Sequence, residues 1–469
     1  MSFLAPFLKK VLNEMRISRK CLNAVATSVV NSLVRQSLEH YSRFRPASLT
    51  MKQYLDFGRN GSATTSYCFL KTELLVRMAN IMKEFDLLPE KLLATPSALL
   101  VSEWYKQSFE ELLYFKNNEP TEENRFKFNN KLRAILQRHS TVVETMAEAL
   151  MELKETSGID MASERNIQYF LDRFYLNRIS IRMLQSQHLL NQLFFSVAIF
   201  ESAKPEKPDQ IGYIDPACDV REIVVDAYEN ARVMCEQYYG DAPSLRLKCV
   251  NTKIKSENEL ENVAGENNEI RVAMVPLHLY YIMFELLKNS MRATIDHRKG
   301  QGLPDIDVSV ILGQETLSIK VSDQGGGVPQ KRMENLFHYL YSTAPQPRRN
   351  SRETPFAGYG YGLPISRLYA RYFLGDLFLF SMEGYGTDAC VYFKANPADA
   401  AELLPCYGAS SRRILSMSPQ VPDWCYQVPK SNGNGSNSAP TPDANTGSEA
   451  EIMANYTVNT EKSPKIAIA

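Results

Sequence analysis

Between about residues 30 and 200, apolar side chains recur every three or four positions and polar ones fill the gaps. That period lines one face of an α-helix. Phe126 to Leu153 and Glu164 to Phe200 carry it most clearly, and internal turn residues are few. Long helices with short connections predict an antiparallel bundle of four main helices over residues 30–204. Pro205-Glu206-Lys207-Pro208 marks the linker that ends it, because proline stops a helical pattern. From about Gly212 to Ala395 the pattern is mixed. Helical stripes alternate with runs of period two, such as Leu317-Ser318-Ile319-Lys320-Val321. Residues 205–400 are therefore predicted to form an open, antiparallel-rich sheet with helices on one face, and the chain to be an α+β protein. The polar stretch Asn251 to Glu269 reads as a long hairpin loop. Residues 401–429 form a tail, and residues 430–469, rich in Ser, Asn, Gly, Pro and Thr, are predicted to be disordered.

The start of the chain departs from this balance. Eight of the first 45 residues are Lys or Arg, against Glu14 and Glu39 alone as acids. Leu4, Phe7, Leu8, Val11, Leu12 and Met15 make an apolar helical stripe beside the lysines. A basic, acid-poor, amphipathic start predicts a mitochondrial transit segment over residues 1–29. The plainer alternative is a first bundle helix. Formal net charge over the 469 residues is zero, so nothing marks a nucleic-acid partner. The eight Cys are scattered without a CxxC pair, as thiols of a reducing compartment are. No apolar run reaches the roughly 18 residues of a membrane span. Leu189 to Phe200 is too short and contains Asn191 and Gln192.

Candidate chemistry sits in the second half. Glu285, Lys288, Asn289 and Arg292 fall at i, i+3, i+4 and i+7, along one face of a helix. A carboxylate there can take a proton, and an amide oxygen one turn on can hold Mg²⁺. Alone, this is also how a solvated helix face looks. Three Gly-rich turns follow. Asp323-Gln324-Gly325-Gly326-Gly327 comes after a strand-like run, where an acid can accept from an amino group and glycines let a flat ring approach the backbone. Gly358-Tyr359-Gly360-Tyr361-Gly362-Leu363 opens a helical pattern and reads as a phosphate cradle. Gly384-Tyr385-Gly386-Thr387 leads into a strand.

The four blocks, in this order and spacing, resemble the ATP site shared by gyrase, chaperone, histidine-kinase and mismatch-repair ATPases. The chain more closely resembles the mitochondrial protein kinases, and among them the pyruvate dehydrogenase kinases. Leu75 to Glu84, Tyr169 to Tyr175, Arg178 to Met183, Tyr341 to Pro345 and Pro422-Asp423-Trp424-Cys425 carry this closer likeness, which runs from about Ser48 to about Cys425. The resemblance implies a histidine-kinase/gyrase-type α/β sandwich behind a regulatory helical bundle. It implies a matrix enzyme that uses MgATP to phosphorylate a serine of the pyruvate dehydrogenase α subunit, inactivating that complex and so regulating glucose oxidation. Glu285 would be the general base and Asn289 the Mg²⁺ ligand. Asp323 would read the adenine amino group, with Gly325 and Gly327 shaping its pocket and Thr387 adding a contact. Ser342 and Thr343 would begin the ATP lid. Gly358, Tyr359, Gly360, Tyr361, Gly362 and Leu363 would wrap the triphosphate, and Lys288 and Arg292 would belong to the nucleotide site.

The same resemblance places Tyr105, Ser108, Arg138, His139, Arg178 and Arg182 around a pocket for pyruvate-like carboxylates. An arginine there suits a small carboxylate; an internal ion pair, for instance with Asp172, is the plainer alternative. It further implies homodimerisation through tails carrying Asp423 and Trp424, and capture of the lipoyl domain of the dihydrolipoyl acetyltransferase core. The chain departs from the family pattern at Tyr281, where a His is usual, at Gln324, at Arg348 to Glu353 in the lid, and after His188. A Tyr cannot carry positive charge near neutral pH, so the tuning of Glu285 changes. Three other readings remain at this point: a branched-chain ketoacid dehydrogenase kinase, a nucleotide-binding scaffold, and a two-component histidine kinase.

Overall fold

The computed structural model describes residues 32–158, 164–197, 210–253, 269–298, 302–342 and 360–408. The expected transit segment, Thr343, Gly358, Tyr359, the arginine-rich part of the lid, and the tail with Asp423 and Trp424 lie outside the described residues.

The first half is helical. A helix runs through residues 32–41, followed by α1 (Met51–Asn60), α2 (Ala63–Phe85), α3 (Pro96–Leu113), α4 (Glu122–Arg138), α5 (Val142–Ser157) and α6 (Arg165–Val197). Short polar side chains begin most of them. Thr50 and Gln53 form a reciprocal capping box, and Ser62, Thr95 and Thr121 each accept an N–H of the first turn. Phe126 to Leu153 is not one helix. The chain breaks at His139 to Thr141, where the His139 N–H returns to the Ile135 carbonyl and Thr141 starts the next helix. Both halves keep their apolar stripe toward the same core, so periodicity alone did not reveal the break. Helix α2 is buried on nearly every side from Glu73 to Ile81, and it packs against α3 and α6. None of the described helices is long and apolar enough to cross a membrane.

The second half is mixed helix and sheet. Its elements are β1 (Asp215–Asp219), α7 (Val220–Tyr239), β2 (Leu245–Asn251), β3 (Arg271–Met274), α8 (Pro276–His297), β4 (Ile306–Leu312), β5 (Thr316–Ser322), α9 (Gly362–Tyr372), β6 (Asp376–Met382) and β7 (Gly386–Lys394). Five strands pair in the order β2-β4-β5-β7-β6. The β2–β4 pairing is parallel and the other three are antiparallel. The hairpin expected across Asn251 to Glu269 does not form. Strand β2 pairs with β4, whereas β3 pairs with β1 in a separate two-stranded sheet. The alternation of Leu317, Ile319 and Val321 puts those residues inside. Ile306, Val308, Val310 and Leu312 of β4 are buried with Leu286, Leu287 and Met291 of α8.

A polar cluster ties the two halves together. Arg77 donates to Glu73 at 2.8 Å and to both oxygens of Glu402 at 3.0 and 2.8 Å. Glu402 also accepts from the Tyr54 hydroxyl at 2.8 Å, from the Leu49 N–H at 3.0 Å and from the Tyr372 hydroxyl. Removing one partner of a buried ion pair strands the other charge, so Glu402→Ala should destabilise the fold by about 3–5 kcal/mol. Denaturant unfolding of the variant would measure this.

His188 is buried between the Ser66 hydroxyl at 2.6 Å and Asn129 Oδ1 at 2.8 Å. Burial, with Arg133 nearby, lowers its pKa from an ordinary 6.5 to about 4. The unfolded chain therefore takes up this proton before the folded one does. The stability held by neutral His188 is complete above about pH 6.5 and is lost as pH falls through 6.5 toward 4. Thermal melts should show a lower midpoint at pH 5 than at pH 7, and His188→Gln should shrink that difference.

Candidate active site

Helix α8 starts with Pro276 and presents a polar stripe to a cavity of about 680 Å³. Glu285, Lys288, Asn289 and Arg292 all line it, while Leu286, Leu287 and Met291 turn to the core. The opposite walls hold Asp323, Gly325 and Gly327 after β5, Thr387 on β7, and Ser342. Gly360, Tyr361, Gly362 and Leu363 at the start of α9 complete the set. Every predicted nucleotide-site residue that the structure describes thus faces one space. Sequence reading missed Asp296 and His297, which only extend the α8 stripe by another turn, and Arg332. It also missed the bundle's contribution, Val143, Glu144 and Ala147 of α5, which no local pattern signals.

Local bonding fixes the carboxylates. Asp323 Oδ1 accepts the Gly325 N–H at 2.9 Å and the Thr387 N–H at 3.3 Å. Burial pushes its pKa up, and those amides and the Ser290 hydroxyl oppose the shift. Gly327 adopts φ +66°, and any Cβ there would strike the Met382 carbonyl, so only glycine suits the turn. Glu285 pairs with Lys288 at 2.7 Å, both mostly shielded from solvent. Tyr281, one turn earlier, packs on Tyr369 with ring centroids 5.1 Å apart. Burial first, and the Glu285 charge second, hold its hydroxyl well above the usual range, so it stays a neutral group beside Glu285. Helix α9 begins without a side-chain cap, and Gly362 and Leu363 of its first turn line the cavity. First-turn amides suit an anion.

The residues expected around a carboxylate pocket also converge. The Tyr105 and His139 rings lie 4.5 Å apart, tilted by 45°, and Ser108 Oγ lies 3.0 Å from His139 Nε2. Burial, despite the Trp104 carbonyl, and the nearby arginines hold His139 down to about 4, so it is neutral. Arg138 is engaged by both Glu111 oxygens at 3.0 Å and by Ser108 at 2.7 Å. Among the described residues Asp172 makes no ion pair with an arginine. It accepts the Tyr339 hydroxyl at 2.8 Å. Arg178 donates to the His139 carbonyl at 3.0 Å, yet its Nε and Arg182 Nη1 are buried with no hydrogen-bond partner among the described residues. Two such guanidiniums side by side suit an anion between them.

Comparison with known proteins now decides the family. Residues 48–215 match the family described as mitochondrial branched-chain alpha-ketoacid dehydrogenase kinase, and residues 274–397 match the histidine kinase-, DNA gyrase B- and HSP90-like ATPases. A Caenorhabditis elegans protein named probable pyruvate dehydrogenase (acetyl-transferring) kinase, mitochondrial, is 55% identical over 88% of this chain and 98% of its own length. The Ascaris suum pyruvate dehydrogenase (acetyl-transferring) kinase, mitochondrial, is 56% identical over 85% of this chain and 95% of its own. Mouse isozyme 4 of that kinase is 45% identical over 88% and 96%. The chain belongs to the pyruvate dehydrogenase kinase family. As a family member it is an ATP-dependent kinase with a gyrase-type ATPase region, and the histidine-kinase likeness is one of fold.

Gly362 gives the kinase a specific vulnerability. A Cβ added there would sit on Glu285 Oε2, the tip of a flexible side chain. Gly362→Ala should therefore move the carboxylate with little cost to the fold. Turnover should fall at least tenfold, as misplacement of a site group by about 1 Å can cost ~10²-fold, while the melting curve hardly shifts. Paired kinetic and melting measurements check this.

Proposed function

We propose that this chain transfers the γ-phosphoryl group of ATP to a serine of the pyruvate dehydrogenase α subunit in the mitochondrial matrix, and thereby restrains acetyl-CoA formation. The observation that carries this reading is the single cavity on which Glu285, Asn289, Asp323 and the Gly360–Gly362 turn converge. Phosphoryl transfer asks for positioning, charge neutralisation and a proton acceptor. Asp323 holds the adenine amino group. The N–H groups that open α9 cradle phosphate oxygens, with Lys288 and Arg292 adding positive charge. The serine oxygen attacks the γ-phosphorus, its proton passes to Glu285, and the bond to the ADP oxygen breaks. Lys288 orients Glu285 through their ion pair, while Tyr281 supplies no charge.

The donor set suits Mg²⁺. Among the described residues no three His, Cys, Asp or Glu gather to cage a metal. Mg²⁺ needs no such cage, since it takes one or two protein oxygens together with phosphates and waters. The Asn289 carbonyl oxygen is the ligand this chain offers. Mg²⁺, when bound, would neutralise phosphate charge.

Several finer statements belong to the same proposal. Residues 30–204 act as a regulatory four-helix antiparallel bundle, residues 205–400 as the kinase domain, residues 1–29 as a transit segment, and residues 401–469 as tail. Arg178 and Arg182, with Tyr105, Ser108, Arg138 and His139, receive a pyruvate-like carboxylate, which the unpartnered guanidinium nitrogens favour. The bundle's end captures a lipoyl domain. Two copies associate, with Asp423 and Trp424 in the exchanged tails, and the exposed Phe378, Phe380 and Met382 of β6 support an association surface. A branched-chain ketoacid dehydrogenase as substrate is the second reading, favoured by the description of the family that residues 48–215 match.

Transfer of labelled phosphate to purified pyruvate dehydrogenase, with the branched-chain enzyme in parallel, tests the reading. Acid-stable serine label on the pyruvate enzyme is expected. Glu285→Gln should lower turnover ~10²–10⁴-fold with ATP still bound, whereas Asp323→Asn should weaken ATP binding itself. Label on the branched-chain enzyme alone would overturn the substrate. ATP binding without label on either would leave a scaffold.

A further inference from the structure

The cavity's floor is graded along α8. Gly325 lies against Ala293 and Thr294, and Gly326 lies against His297, so the Asp323 end meets the last turns of the helix. Asn289, Glu285 and Tyr281 follow in order toward its start. At the rise of an α-helix, Glu285 stands about 12 Å from Ala293 along the axis. A nucleotide seated on Asp323 reaches Glu285 from the C-terminal side. The acceptor hydroxyl must then arrive from the other side, past Tyr281.

That side is walled by the bundle. Val143, Glu144 and Ala147 of α5 line it. Glu144 shares the cavity lining with Tyr281 and Glu285, and its charge, after burial, Glu285 and Tyr369, adds to the upward push on the Tyr281 hydroxyl. Glu144 is exposed, and among the described residues it has no hydrogen-bond or ion-pair partner. A carboxylate is no ligand for a triphosphate. Its complement is a cation brought in with the acceptor. Its position in the first turn of α5 also suits the helix dipole, and the test separates that role from recognition.

We propose that Glu144 is a specificity-determining residue, which reads a basic side chain flanking the serine that is phosphorylated. The inference rests on the kinase reading of the cavity. It assigns Glu144 to substrate recognition and gives it no part in the bond-making step.

The experiment measures transfer to purified pyruvate dehydrogenase over a range of its concentrations, for the wild-type kinase, Glu144→Gln and Glu144→Lys. The labelled serine is mapped, and basic residues within three positions are changed to Ala or Glu. The KM for pyruvate dehydrogenase should rise about 5-fold in Glu144→Gln and on the order of 20-fold in Glu144→Lys, as for a partly exposed ion pair lost and then reversed. The KM for ATP should stay within about twofold, since the charge lies beyond the nucleotide. The basic-to-Ala substrate should cost the wild type the same factor and Glu144→Gln nothing. The basic-to-Glu substrate should be rescued by Glu144→Lys, an outcome that a helix-dipole role cannot produce. A mapped serine with no basic neighbour, equal losses on all substrates, or Glu144 variants that match wild type would each overturn the inference alone. ATP binding by the wild type with no transfer would remove the kinase reading beneath it.

Discussion

Arg77 carries its charge with no exposed surface, and all five donor positions of its guanidinium are used: one on Glu73, two on Glu402, and one each on the Ser180 and Ala47 carbonyls. Ion burial is costly unless every donor and acceptor is met. Here they are met by groups from the segment before α1, from α2, from α6 and from the chain after β7. The carboxylate of Glu402 adds the hydroxyls of Tyr54 and Tyr372. A packing that shifted any of these elements would leave a buried charge unpaired. The network therefore selects one relation between the helical half and α9, whose first residues line the cavity.

The same logic links the two candidate ligand sites. Helix α6 carries Arg178 and Arg182 near Tyr105 and His139, and one to three turns before Arg178 it carries Tyr175, Asp172 and Gln168 against Tyr339. Gln168 bonds both the N–H and the carbonyl of Tyr339, and Asp172 takes the Tyr339 hydroxyl. Tyr175, Tyr339 and Tyr361 pack with ring centroids 5.2 to 5.9 Å apart. Tyr361 is the residue before Gly362. One helix thus contacts His139 through Arg178 and, through Tyr175 and the Tyr339 ring, the turn that precedes Gly362. Contiguous packed contacts of this kind are one physical route by which two sites can be coupled.

Burial explains the chemistry of the aromatic residues. The hydroxyls of Tyr54, Tyr175, Tyr339 and Tyr372 are all pushed well above their usual range, first by desolvation. They act as neutral donors and as rigid rings. Tyr281 follows the same rule and adds no charge beside Glu285, whose carboxylate pairs with Lys288.

Periodicity located the helices and strands because a buried face demands apolar residues at the element's own repeat. It also put Glu285, Asn289 and Arg292 on one stripe, and the glycines of the three turns where side chains would collide. The order of those blocks was enough to indicate the ATPase-type region. Local pattern failed where two elements share one core or where partners are distant. The stripe from Phe126 to Leu153 hid the break at His139, because both helices bury their apolar sides together. The polar run after β2 suggested a hairpin, but ladder partners are set by the whole sheet. Arg77 looked like any helical arginine, and its partner Glu402 lies 325 residues away. Glu144 carried no signal at all. Sequence determined which residues can do chemistry, since side-chain type and short-range spacing are written into it. The tertiary structure alone decided which of them meet, because contact between distant segments depends on how every buried group is satisfied at once.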